Sequence, residues 1–207
     1  MTYISKRRYI LPGIFFILIG LLTVAVSIPN LMIPGSDPLR QVDGLLHLSV
    51  GTKSKADDYV VQIYNNGYTE NIVCISSQIS HDLFPSDYTL INLKNRGIPS
   101  DRIESLHLPI FECPVEVIDY LAQYCQKRHW RSVLVVTSPE GNRRGRRLMS
   151  DEFRKRGVDL YFTHSPEDER ELRTDWWRTH WKIQRLIGSA SDLLLDIYFG
   201  DCRLAKS

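Results

Sequence analysis

The sequence predicts an α/β domain of Rossmann-like, three-layer architecture, a parallel sheet with helices on both faces, preceded by one N-terminal transmembrane helix. Three observations predict this arrangement. Short apolar runs alternate with helix-periodic segments along most of the chain. The strongest run, Ser132–Val136, is apolar on both faces, as in a buried parallel strand. A separate stretch without any charged residue, from Tyr9 to Ser36, lies ahead of these segments.

The strands are predicted from apolar runs bounded by turn residues. In chain order they are Gly44–Val50, Asn71–Ile75, Arg102–His107, Ser132–Val136 and Val158–Phe162. The helices between them are predicted from caps and amphipathic periodicity. They are Ala56–Asn65, a helix capped by Ser86 and running to Arg96, Pro114–Gln126, a helix ending at Arg156, and a tail over Trp176–Phe199. In such folds, ligands bind beyond the carboxyl ends of the strands, near a topological switch point.

The uncharged stretch predicts a membrane anchor. Ile10–Leu31 is long enough for a spanning helix, which needs about 20 apolar residues. Three cations at 6–8 precede it, so the positive-inside bias leaves the N-terminus in the cytoplasm. We expect a cytoplasmic tail over 1–8, an anchor over 9–34 and an exported domain over 35–207. A signal peptide cleaved after Ala25-Val26-Ser27 is the alternative, although the apolar run exceeds the usual signal core of about 7–15 residues.

Composition excludes several classes of function. Three of the 26 Lys and Arg precede the anchor and all 24 Asp and Glu follow it, so the body is nearly neutral. A neutral body lacks the electrostatic footprint of a nucleic-acid-binding protein. The chain contains no P-loop, G-x-G-x-x-G or H-E-x-x-H motif, and we predict neither a bound metal nor a cofactor.

The four cysteines match no disulfide framework and no zinc motif. Export permits disulfides. If Cys113 and Cys125 flank one helix, they lie about 18 Å apart, far beyond disulfide reach. Cys74 lies within an apolar run and is interpreted as a buried small hydrophobic residue.

Four arginines crowd the start of the helix that follows the fourth strand. A helix N-terminus carries partial positive charge and its free amides favour an anion. Arginines gathered there indicate an anion site, because guanidinium groups bind phosphate and carboxylate in bidentate fashion. Arg143 and Arg144 are the candidates for that site, with a solvated face as the alternative. Arg146 and Arg147 are interpreted as part of the solvated face.

Several motifs in this order resemble the SanA/ElyC/YdcF-like family of bacterial envelope proteins, from about Gly44 to about Tyr198. Family members often carry T-S-P-x-H-x-R-R-A-R after the central strand and G-V-P-x-x-x-I before the third. The matching residues here are Thr137-Ser138-Pro139, Arg143-Arg144-Gly145-Arg146, Gly97-Ile98-Pro99-Ser100-Asp101-Arg102-Ile103, Asn66-Gly67-Tyr68, and Trp176-Trp177 with a helix ending at Tyr198.

The resemblance implies a Rossmann-like fold and a role in envelope, peptidoglycan or polysaccharide biogenesis. The chain also departs from the family pattern. The family histidine falls at Gly141, so any catalysis that depends on it is absent. The chain has other residues at four further family positions. Ala56 or Asp57 stands where the family has an arginine, and Ser77-Gln78 stands where it has two glycines. Glu112-Cys113 stands in place of Asn-Thr, and Asp192 stands in place of a glutamate.

Candidate site residues follow from the strand tips. Glu116 is a candidate general acid or base. The alternative is that it only stabilises the helix, because a glutamate in the first helical turn interacts favourably with the helix dipole. Ser138 is a candidate nucleophile, but without a G-x-S-x-G frame it is better explained as a helix cap. His47 is interpreted as a hydrogen-bonded core histidine. The predicted substrate-binding residues are Gly51, Ser76, Ser138, Arg143, Arg144 and His164.

Three functions remain open at this point. The first is a membrane-anchored envelope-biogenesis protein that binds an anionic glycan or lipid-linked phosphate precursor, with transfer or hydrolysis as the expected chemistry if it is an enzyme. The second is a non-enzymatic accessory protein of a polysaccharide or cell-wall assembly or export complex, which the missing histidine favours. The third is an exported hydrolase built around Ser138, which requires a histidine and an acid beside that serine.

Overall fold

A computed structural model describes residues 33–48, 55–80, 83–109 and 113–198, together with a few positions between 20 and 30. The strands are β1 (Gly44–His47), β2 (Ile72–Ser77), β3 (Ile103–Leu108), β4 (Ser132–Val136) and β5 (Asp159–Thr163). They form one parallel sheet in the order β3-β2-β1-β4-β5. The predicted α/β class with a Rossmann-like parallel sheet is therefore confirmed.

Six helices have both of their ends within the described residues. They are α1 (Lys55–Asn65), α2 (Pro85–Asn95), α3 (Pro114–Lys127), α4 (Gly141–Lys155), α5 (Pro166–Thr174) and α6 (His180–Tyr198). Short 3-10 turns cover Ser100–Arg102 and Trp176–Arg178. Glycines with positive φ follow α1, α2 and α4, where the chain leaves each helix.

Successive strand residues face opposite layers, so each strand contributes to two cores. Leu45, Cys74 and Leu134 pack in a cluster with α1 and α2. Leu46 and Val135 pack in a second cluster with α3 and α4. This alternation gives the three-layer arrangement that the apolar strands predicted.

The sheet has its switch point between β1 and β4. The chain moves outward from β1 to β2 and β3, then returns to place β4 on the other side of β1. The helices that follow β1 and β4 start at the same edge, with Lys55 opening α1 and Glu140 directly before α4. A crevice between these helix starts is where open α/β sheets bind ligands.

A smaller apolar cluster lies beside β5. Ile33 packs against Leu172 of α5 and Leu186 of α6. The segment that follows Ile33 runs along β5, where Asp37 N donates to Phe162 O at 2.8 Å. Since α5 contacts α1 and α6 contacts α4, this pair of helices reaches both layers of the domain.

Three predicted elements need correction. α5 was not predicted, although Ser165 caps it by accepting from Asp168 N at 3.4 Å and Pro166 opens it. The predicted tail helix is broken after the Trp176–Arg178 turn, because Thr179 is extended with φ −131° and ψ 127°. Ser86 is not the cap of α2, since Phe84 occupies that position and Pro85 opens the helix.

The predicted anchor lies almost entirely outside the described residues. At the described positions Gly20, Thr23 and Ser27 the chain is helical, and Ser27 Oγ donates to Thr23 O at 2.8 Å. No helix within the described part of the chain has the length and apolarity needed to cross a membrane. The anchor therefore stays a prediction.

The cysteines fall into two groups. Cys74 and Cys125 are buried free thiols, and burial raises the pKa of each to about 12. The interpretation of Cys74 as a buried small hydrophobic residue is confirmed. Cys113, at the start of α3, is instead disulfide-bonded. A structural disulfide is typical of a protein held in an oxidising compartment.

We expect alkylation of the denatured, unreduced chain to modify Cys74 and Cys125 alone, and reduction to make all four cysteines reactive. The reason is that a bonded Cys113 removes itself and one further cysteine from reaction. Intact-mass analysis after alkylation counts the modified sites. Modification of all four cysteines without reductant, in protein isolated from its native compartment, would contradict the disulfide.

Candidate functional site

Charged side chains from four helices converge at the switch point. They form what we call the charged cluster: Lys55 of α1, Glu140 before α4, Asp168 and Glu171 of α5, and Lys182 and Arg185 of α6. The first turns of α1, α4 and α5 all follow strand tips, so the topology alone brings them to one edge. None of these six residues was predicted as a site residue.

Glu140 and Arg185 form the most buried pair of the cluster. Arg185 Nε donates to Glu140 Oε1 at 2.6 Å, and the Glu140 side chain is 7% exposed. Within the part of the chain that the structure describes, Glu140 Oε2 is buried and accepts no hydrogen bond. An unsatisfied buried carboxylate oxygen is costly. Because this oxygen is buried, a ligand hydroxyl would reach it only if the surrounding side chains moved.

Lys55 and Lys182 share the carboxylate of Glu171. Lys55 Nζ donates to Glu171 Oε1, and Lys182 Nζ lies 3.7 Å from Oε2. The hydrogen bond between Lys55 and Glu171 raises the pKa of the lysine and lowers that of the glutamate. Both groups therefore stay charged across the neutral pH range, and they fix the relative position of α1, α5 and α6.

Asp168 differs from the other acids of the cluster. Burial raises its pKa, Lys55 and Arg185 oppose that rise, and the nearby charges of Glu171 and Glu140 reinforce it. A carboxyl group whose pKa is raised holds a proton more readily than an exposed aspartate does. Such groups are candidates for acid–base chemistry when they lie in a cleft.

A cleft of about 510 Å³ opens beside the cluster, between α1 and the start of α5. Its lining includes Lys55, Tyr59, Arg96, Ser165 and Glu167. This volume falls within the range of small-molecule sites, about 300–1,000 Å³. A second cavity of about 590 Å³ lies at the opposite edge, around Asp43. We favour the first because ligands of open α/β sheets bind at the carboxyl ends of the strands.

Ser138 lies just before α4, but Glu140 and not Ser138 occupies the cap position of that helix. Its Oγ accepts from Gly141 N at 3.3 Å. Within the described residues, no histidine or carboxylate hydrogen-bonds to Ser138, so the hydrolase hypothesis gains no support. A Cβ at Gly141 would meet Ser138 Oγ at 2.9 Å and Thr137 Oγ1 at 3.0 Å. A histidine at position 141 would therefore require these hydroxyls to move.

The four arginines near the start of α4 have different roles. Arg143 and Arg147 are exposed and Arg144 is half-buried. The interpretation of Arg146 as part of the solvated face is wrong. Its Nη1 donates to both Asp37 carboxylate oxygens, at 2.8 and 2.9 Å. Its other donors reach Asn142 Oδ1 and the carbonyls of Gly35 and Phe162.

His164, a predicted substrate-binding residue, lines neither of the two cavities described above. It is fully buried, with Nδ1 2.9 Å from Asn142 Nδ2 and Nε2 2.8 Å from Glu169 Oε2. Arg173 Nε donates to Glu169 Oε1 at 2.7 Å. Burial opposes ionisation of Glu169, but hydrogen bonds from His164 and Arg173 bring its pKa below the usual value. The network joins the end of β5 to α4 and α5.

The remaining predicted site residues are dispersed. Ser76 is buried and donates to Ser86 Oγ at 2.8 Å, which places it under the start of α2. Glu116 is exposed in the first turn of α3. Gly51 lies outside the described residues. The structure thus brings Ser138, Arg143 and Arg144 together at the start of α4. Ser76 lies instead under the start of α2, and Glu116 lies in the first turn of α3.

His47 has the core role that its position predicted. Its Nε2 lies 2.9 Å from Asp57 Oδ1, both residues are fully buried, and Asn92 Nδ2 donates to Asp57 Oδ2 at 2.8 Å. Among the described residues, His47 Nδ1 has no hydrogen-bond partner. This pair ties the end of β1 to α1 and α2.

The fold and the geometry at its switch point define the protein as a Rossmann-like α/β domain. No protein-family model matches the chain, and no curated protein matches it. Among solved structures, the chain is similar to a universal stress protein in complex with cAMP, at 12% identity and TM-score 0.37, over 60% of this chain and 99% of that one. It is also similar to an aureusimine biosynthetic cluster reductase domain, at 16% identity and TM-score 0.32, over 70% of this chain and 55% of that one. Neither similarity bears on function.

Proposed function

We propose that the protein is a membrane-anchored envelope-biogenesis protein that binds an anionic glycan or a lipid-linked phosphate precursor at the carboxyl ends of its strands. The observation that carries the proposal is the convergence of the charged cluster at the switch point. Lys55, Lys182 and Arg185 supply cations there, and the first turn of α4 adds Arg143 and Arg144. Helix N-termini and guanidinium groups together favour phosphate or carboxylate.

The carboxylates in the same cluster narrow the ligand class. Glu140, Asp168 and Glu171 would repel a simple polyanion, but they accept hydrogen bonds from hydroxyl groups. The buried Glu140 Oε2, which accepts no hydrogen bond among the described residues, would suit such a hydroxyl if ligand binding exposed it. A ligand that carries both an anionic group and several hydroxyls, such as a sugar phosphate, therefore matches the cluster better than inorganic phosphate does.

Transfer or hydrolysis is the chemistry that the cluster favours if the protein is an enzyme. Asp168, with its raised pKa, is the acid best suited to protonate a leaving oxygen. The deprotonated Glu171, held by Lys55, would orient or stabilise rather than donate a proton. Glu116 stays a predicted acid or base outside the cluster.

We expect the double variant Arg143→Ala/Arg144→Ala to bind its ligand at least about 10-fold more weakly, since charge-assisted hydrogen bonds each contribute roughly 1.5–3 kcal/mol. The measurement is binding to nucleotide sugars, polyprenyl phosphates and cell-wall fragments. Arg154→Ala/Lys155→Ala is the matched control, because it removes the same charge from the far end of α4. Absence of saturable binding by the folded wild-type chain, or equal loss in the control, would contradict the proposal.

The second candidate is the non-enzymatic accessory protein. Exposed apolar side chains favour it, since Tyr88 and Ile91 lie three residues apart on α2 and Ile79 lies just before that helix. Exposed apolar patches mark protein-interaction sites. A chain that binds none of the small ligands, but captures envelope assembly proteins through Tyr88 and Ile91, would support this role instead.

A further inference from the structure

The outward face of α6 is unusual for a solvent-exposed helix. Trp181 is 48% exposed and Ile187 is 61% exposed, and Trp177, in the turn just before the helix, is 56% exposed. The exposed residues of α6 up to Ser191 include no charged side chain, whereas water-facing helix surfaces normally carry them. They are His180, Trp181, Gln184, Ile187, Gly188 and Ser191.

The segment is also basic. Residues 176–191 contain Arg178, Lys182 and Arg185 and no acidic residue. Lys182 Nζ lies 5.4 Å and the Arg185 guanidinium 5.3 Å from the centre of the Trp181 ring. Tryptophans combined with cations and an apolar helix face are typical of the membrane–water interface, where indole rings lie among the lipid headgroups.

The predicted anchor ends against the same pair of helices, α5 and α6. Ile33, 1% exposed, packs against Leu172 and Leu186, so α5 and α6 lie directly beside the end of the predicted anchor. Arg173 Nη2 donates to Ile33 O at 2.9 Å and Nη1 donates to Asn30. Upstream of these contacts lies the uncharged stretch from Tyr9. A bilayer that holds that stretch would lie close to α6.

We propose that Trp177, Trp181 and Ile187 form a membrane-contact surface that rests in the headgroup region of the bilayer. The inference rests on the anchor of the proposed function, but not on its ligand site. Lys182 and Arg185 belong both to the charged cluster and to the surroundings of the contact surface. Their charged groups pair with Glu171 and Glu140 and also lie within 5.4 Å of the centre of the Trp181 ring. The surface would hold the domain against the lipid with the cluster nearby.

The test uses the full chain in phosphatidylcholine–phosphatidylglycerol vesicles whose acyl chains carry bromine, which quenches tryptophan on contact. Three variants each retain one tryptophan, Trp177, Trp181 or Trp130, with phenylalanine at the others. Trp130 is the control, because it is buried against Gly44 at the opposite edge of the sheet. We expect at least about a twofold loss of fluorescence for Trp177 and Trp181, as for interfacial indoles, and little loss for Trp130.

The wild-type chain gives a second measurement if a variant fails to fold. With two of its four tryptophans each losing at least half of their fluorescence, its emission should fall by at least about a quarter. Vesicle flotation shows whether the chain is bound to lipid at all, and so distinguishes failure of the contact surface from failure of the anchor. A chain that floats with Trp181 quenched no more than Trp130 retains its anchor and overturns the contact surface. A chain that does not float overturns both. If the quenching disappears when the chain self-associates, the surface binds a second copy of the chain, and the proposal is overturned.

Discussion

Replacing Arg146 with alanine should lower the free energy of unfolding by about 3 kcal/mol, because hydrogen bonds to charged groups contribute roughly 1.5–3 kcal/mol. The side chain is 30% exposed and that of Asp37 is 26% exposed, so solvent screens the pair only in part. The substitution also frees Asp37, whose Oδ2 accepts from Phe162 N at 2.7 Å, and the carbonyls of Gly35 and Phe162. Urea denaturation of the full chain measures the change.

The control for Arg146 is Arg154→Ala on the same helix. Arg154 pairs with Asp151 at 3.1 Å, but both side chains are more than 70% exposed, at 74% and 78%. Exposed pairs contribute about 0–1 kcal/mol. Equal losses for the two variants would show that Arg146 contributes only a surface charge, and its role in holding the segment along β5 would then be wrong.

Gly44→Ala should destabilise the domain by a similar amount. A Cβ at this position would lie 2.3 Å from Cζ3 of Trp130 and within 2.5 Å of two further ring atoms. The indole is rigid and buried in the cluster beneath α3, so it has little room to move. Overpacking of this kind costs about 1–3 kcal/mol, and the rigidity of the ring places the expected loss near the upper end.

The partner substitution Trp130→Leu tests the cause. Removing the ring removes the clash, so Gly44→Ala should be nearly neutral in the Trp130→Leu background, although Trp130→Leu is itself destabilising. The double-mutant cycle should give a coupling of at least about 1 kcal/mol, as expected for residues in direct contact. Additive losses would show that Gly44 matters for backbone reasons and not because of the ring.

The sequence was sufficient for the sheet because its signals are local. Ser132–Val136 was predicted with the bounds that β4 has, since an apolar run between turn residues is a property of neighbouring positions. Gly97 directly follows the helix end predicted at Arg96, and it takes φ +94° there. α5 was missed although Ser165, Pro166 and three acidic residues in its first turn form a complete helix-start signature.

The contacts that define Arg146 and His164 were out of reach of sequence reasoning. Arg146 binds Asp37, 109 positions away, and His164 lies beside Ser36, 128 positions away. Nothing in an arginine-rich helix start shows which arginine will meet a distant carboxylate. The same holds for the charged cluster, since Lys55, Glu140 and Arg185 each look like ordinary surface charges until the topology brings their helices together.

The segment between the predicted anchor and β1 is fastened to the domain at successive points. Ile33 is buried between α5 and α6, Asp37 is bonded to β5, and the Arg40 guanidinium lies 4.2 Å from the centre of the Tyr161 ring. A segment bound in this way is a rigid connection and not a flexible linker. On an anchored protein, it would fix the height and orientation of the charged cluster above the bilayer. A ligand carried by a lipid would then diffuse in the plane of the bilayer and meet the cluster at a constant height. Its effective concentration at the cluster would be set by this geometry. A freely dissolved ligand would gain no such increase in effective concentration.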